Sequence, residues 1–84
     1  MKLPRHLTGA QLIHALGKLG YATSRQSGSH VRLTTDVPTQ HHITVPLHDP
    51  LRIGTLAAIL ADVALLGLPA PELLRLATVF TGQR

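Results

Sequence analysis

The chain has no cysteine. That excludes a disulfide framework, a zinc–thiolate site and a thiol nucleophile, and it fits a reducing, cytoplasmic setting. Acidic residues are scarce, four against eight lysines and arginines, and they form no cluster of the kind a magnesium ion needs. No run is apolar enough to span a membrane. The most apolar window, Ile53 to Pro69, carries Asp62 near its middle and ends at a proline, whereas a span needs about 20 apolar residues. A buried helix is the expectation there. The N-terminal stretch MKLPRHLTG lacks the apolar core of a signal peptide. No internal repeat, linker or low-complexity tract is visible.

What remains is a chain of 84 residues, 44% of them hydrophobic. That suits one domain over residues 1–84 with one modest core. The net charge of +4 is unevenly placed. Lys2, Arg5, Lys18, Arg25, Arg32 and Arg52 stand against only Asp36 and Asp49 in residues 1–54. Beyond them, Arg75 and Arg84 balance Asp62 and Glu72. A basic excess favours an anionic partner, most commonly nucleic acid.

LTGAQLIHALGKLGY reads as a first helix. Thr8 and Gln11 have capping-box spacing, Leu12, Ile13, Leu16 and Leu19 make the apolar face, and Gly20 suits a left-handed stop. His14 and Lys18 share its outer face. Tyr21 to Gln26 then reads as a strand, SGS as a turn, and His30 to Thr35 as a second strand. In that strand Val31 and Leu33 point one way, and His30, Arg32 and Thr34 the other. His41 to Val45 is a third strand, with His42 and Thr44 outward. A helix follows from about Thr55 to Leu66, apolar on nearly every side, which implies burial on more than one side. A last helix starts at PAPELL, with Pro71 and Glu72 in its first turn, Gly82 at its stop, and a stripe of Leu73, Leu76, Ala77 and Phe80. That stripe either folds back on the preceding helix or joins a second copy as a homodimer. The fold class is therefore α+β, an α-β-β-β-α order with a three-stranded antiparallel sheet and an extra C-terminal helix. Double-stranded-RNA-binding domains share that layout.

Four stretches are similar to the HicA toxin family, also called YcfA-like. QLIHALGKLGY matches the family's first helix. Arg25, Gln26, Gly28, Ser29 and His30 reproduce its RQxGSH signature. ITVPLH, Ile43 to His48, matches its third strand, and IGTLAAIL, Ile53 to Leu60, its second helix start. The resemblance covers about residues 7–66 and leaves 69–82 as a helical extension. Two lysines common in the family are replaced by Ser27 and Ile53, which removes two phosphate-facing charges.

The resemblance implies a small RNA-cleaving toxin of a toxin–antitoxin pair. Its activity would depend on the Gly-Ser-His histidine, here His30, and a HicB-like antitoxin would block that surface. The chemistry is consistent with these residues. An imidazole titrates near neutrality and serves as base or acid, so His30 is the candidate base for a 2′-hydroxyl. Arg25 and Arg32 would hold phosphate, Gly28 and Ser29 would shape the turn, and the Gly54 and Thr55 amides would offer an anion site at a helix N-terminus. His48 or His42 is the candidate second histidine. His41 and His42 are adjacent on a strand and point to opposite faces, so they do not share a metal ion. The expectation is a metal-independent mRNA endoribonuclease without cofactor. The alternative is a non-catalytic RNA-binding module, or an inactive toxin, on the same fold.

Overall fold

The computed structural model describes residues 3–37 and 39–82, with side chains as far as Thr78. Lys2, Pro38, Arg84 and the Phe80 side chain therefore lie outside the described residues. The element order is α1 (Gly9–Lys18), β1 (Ala22–Ser27), β2 (His30–Thr35), β3 (His41–Pro46), α2 (Ile53–Leu65) and α3 (Ala70–Gly82). The strands form one antiparallel sheet in the order β1-β2-β3. This is the α+β, double-stranded-RNA-binding-domain-like order with an added helix.

Both ends of α1 are fixed by sequence chemistry. The Gln11 N–H donates to Thr8 Oγ1 at 3.1 Å, and the Thr8 N–H donates to Gln11 Oε1 at 2.8 Å, closing a capping box. At the other end Gly20 takes φ +108°, the Tyr21 N–H donates to the Leu16 carbonyl and the Gly20 N–H to Gly17. That is a Schellman stop, with Tyr21 and Leu16 both buried in the core. Gly9 begins the helix because a Cβ there would run into the Pro46 carbonyl oxygen.

The core lies between one sheet face and the helices. Val31, Leu33, Ile43 and Val45 supply the sheet side; Leu12, Leu16, Leu56, Ile59, Val63, Leu73 and Ala77 supply the helix side. α3 packs mainly on α1 and less on α2. The Leu73 and Ala77 stripe is thus covered within the chain, and Ala70 and Leu74 are buried with it.

Two parts of the fold are left uncovered, and the second departs from the sequence reading. Every residue of β1 is exposed, because the helices cover β2 and β3 and leave the first strand as a free edge. α2 is buried on one side only: Ala57, Ala58, Ala61 and Ala64 face solvent, as does Leu65 at 87% exposure. Small alanine side chains leave little apolar area in water, so the uncovered side costs little.

Candidate functional site

The β1–β2 hairpin carries most of the expected site residues. Ser27 pairs with His30, so Gly28 and Ser29 are the two turn residues. Gly28 has φ +59° and Ser29 does not have positive φ. That is the type II′ pattern, whose first central position calls for glycine and whose twist matches the strands. His30 is consequently the first residue of β2, on the open sheet face, exposed and with no side-chain hydrogen bond among the described residues.

Register decides what stands beside it. Arg25 pairs directly with Arg32 across β1 and β2, and Arg32 with Thr44 across β2 and β3. Arg32 is two residues from His30 and on the same face, about 6.8 Å along the strand. Between Thr23 and Arg25 the register slips, leaving Ser24 as an extra residue on β1. Its Oγ donates to the Arg32 carbonyl at 3.2 Å and lies 2.9 Å from Thr34 Oγ1. Thr34 Oγ1 in turn lies 2.8 Å from His42 Nδ1. The alternation in β2 and β3 places Thr34 and His42 outward; their contact, and that of Ser24, depends on register and bulge.

His48 follows β3 and is exposed. It is brought to the hairpin's end of the sheet, because Pro46 pairs with His30 and the Leu47 N–H donates to the Ser29 carbonyl at 2.6 Å. The Gly9 N–H donates to the His48 carbonyl at 2.9 Å, which ties this segment to α1. His42 is placed elsewhere. It pairs with Thr34, four residues from His30, so the two lie about 13–14 Å apart along the strand. The backbone of His48, not that of His42, therefore lies at the same end of the sheet as His30.

Gly54 and Thr55 lie in the first turn of α2, whose N-cap residue Arg52 makes no side-chain cap. Among the described residues no side chain accepts from their amides. Among the described residues no hydrogen bond joins them to the hairpin. They connect to it through the His48–Arg52 segment, which the Leu51 N–H anchors to the Leu7 carbonyl at 2.7 Å.

His41 and His42 do point to opposite faces. His41 is half-buried, with Nδ1 at 2.9 Å from the Tyr21 hydroxyl and its ring edge-on to the tyrosine. Burial pushes the Tyr21 pKa up, and Asp62 nearby adds to the rise. Among the described residues no three histidines or carboxylates gather where a metal ion could sit. No helix of the described residues is long and apolar enough to cross a membrane.

These features define a small α+β domain with one helix-covered sheet face and one open face that carries arginines and histidines. The family model for the HicA toxin of bacterial toxin–antitoxin systems matches residues 9–65. The chain belongs to the HicA toxin family. No curated protein and no solved structure matches it.

Proposed function

We propose that this toxin is a metal-independent mRNA endoribonuclease that uses His30. The observation that carries the reading is the register pairing of Arg25 with Arg32 beside an exposed His30 on one hairpin. Two guanidiniums across from each other offer the forked donors that a phosphodiester accepts. In the proposed step His30 removes the proton from a 2′-hydroxyl. The 2′-oxygen attacks the adjacent phosphorus, and the bond to the 5′-oxygen breaks. The 5′-oxygen takes a proton, with His48 as the proposed donor. Arg25 and Arg32 stabilise the charge that develops on the phosphoryl oxygens. Gly28 and Ser29 hold the turn, and the Gly54 and Thr55 amides offer a further phosphate contact. The products are a 2′,3′-cyclic phosphate and a 5′-hydroxyl.

A HicB-like antitoxin is the proposed protein partner, covering the hairpin, and the cytoplasm is the proposed compartment. The second reading is a non-catalytic RNA-binding module. Its support is the loss of two charges at exposed Ser27 and Ile53.

The test incubates wild type and His30→Ala with mixed RNA in excess chelator. Cleavage by wild type alone, leaving cyclic phosphate ends, is the expected result, with the variant slower by about 10²–10⁴-fold. RNA binding without cleavage by either protein moves the assignment to the binding module. Equal cleavage by both removes His30 from the chemistry.

A further inference from the structure

The open sheet face contains a hydrogen-bonded chain that the cleavage step does not use. It runs from the Arg32 carbonyl through Ser24 Oγ and Thr34 Oγ1 to His42 Nδ1. Only one order of protons satisfies all three contacts. A carbonyl only accepts, so the single hydroxyl hydrogen of Ser24 goes to Arg32. Thr34 must then donate to Ser24. With its own hydrogen spent, Thr34 Oγ1 accepts from His42 Nδ1–H. Neutral His42 is thereby fixed in one tautomer, and Nε2 is the ring atom left for a ligand.

His42 is exposed, on the same face as His30 and the arginine pair. The Arg25–Arg32–Thr44 row lies between the two histidines. No aspartate or glutamate occupies β1, β2 or β3, so the face attracts anions along its length.

We propose that His42 is a second RNA-contacting residue, its Nε2 accepting a hydrogen bond from a base N–H of the same strand whose scissile linkage lies at His30, with Thr34 and Ser24 as its positioning residues. This rests on the RNA reading above. The RNA then runs along β2, from His30 over the arginine row to His42. The separation of about 13–14 Å means that a dinucleotide engaged at His30 does not reach His42, and a longer strand does.

The probes are a 2′-O-methyl RNA oligomer long enough to cross the sheet and a 2′-O-methyl dinucleotide, neither of which can be cut. Fluorescence anisotropy follows the oligomer, and NMR titration follows the dinucleotide. His42→Ala is expected to weaken the oligomer about three- to tenfold and to leave the dinucleotide unchanged. Thr34→Val should weaken the oligomer in the same direction, and Thr34→Ser, which keeps the oxygen, should not. Nitrogen chemical shifts of the free protein should report the Nδ1–H form of His42. Unchanged oligomer binding by His42→Ala overturns the inference alone, as does His42 in the other tautomer. A wild type that binds neither probe overturns the RNA reading, and this inference with it.

Discussion

Arg25 and Arg32 stand directly opposite each other on neighbouring strands. Like charges in that position destabilise a sheet, whereas opposite charges contribute roughly 0.2–1 kcal/mol. Neither arginine joins an ion pair among the described residues; the pair formed by Arg75 and Glu72 lies on α3. The arrangement is therefore costly for folding and useful for an anion. Arg32→Glu should raise the melting temperature by about 1–8 °C, given the usual conversion for a domain of this size. The same change should abolish RNA binding. Thermal melts and RNA titration check both halves, and a variant that loses stability yet still binds RNA contradicts the assignment.

Gly9 sets how closely α1 approaches the end of β3. A methyl group there meets the Pro46 carbonyl oxygen, backbone that cannot swing aside. Gly9→Ala should cost about 1–3 kcal/mol, the usual range for forcing extra volume into packed structure. It should also displace Pro46–His48, whose backbone is held through the Gly9–His48 bond. Urea unfolding checks the first effect. Amide shifts of Leu47 and His48 check the second, with Gly17→Ala, which meets open space, as the comparison.

The parts of this fold that sequence makes legible are those with local chemical signals. Gly28–Ser29 between alternating residues marks the hairpin, and Thr8 with Gln11 marks the start of α1. The alternation in β2 puts Val31 and Leu33 inside and His30 and Arg32 outside, as the structure does. The parts that stay hidden depend on contacts between elements. Periodicity shows an apolar α3 stripe but not that α1 covers it. Hydropathy makes α2 apolar all round because alanine counts as apolar, yet its alanine side needs no cover. The Ser24–Thr34–His42 chain requires an extra residue in β1, and no glycine or turn signal announces that bulge.

The two sides of α2 should respond differently to the same substitution. Leu56 is 1% exposed in the core and Leu65 is 87% exposed. Leu56→Ala should cost about 2–5 kcal/mol, because it removes buried methyl groups and leaves a cavity. Leu65→Ala should stay within about 0.5 kcal/mol. Denaturant midpoints of the two variants measure this directly. A large loss at Leu65 would mean that the uncovered side of α2 is packed in solution.

Tyr21 makes folding sensitive to alkali. Tyr21 is buried with its hydroxyl against His41 Nδ1, and burial first, then the Asp62 charge, raises its pKa above the ordinary 10.0. Below that ordinary value both folded and unfolded chains keep the proton, and the contribution to stability is fully present. Above it the unfolded chain loses the proton while the folded chain retains it. The folded state then binds more protons, so stability falls as pH rises until the folded group also ionises. Tyr21→Phe has no proton to lose there. At neutral pH wild type should be the more stable of the two, because phenylalanine forfeits the hydrogen bond to His41 Nδ1. That advantage should shrink as the pH is taken through and beyond about 10. Urea midpoints of both proteins across that range measure the gap, and a gap that stays constant would place the Tyr21 hydroxyl in a solvated setting.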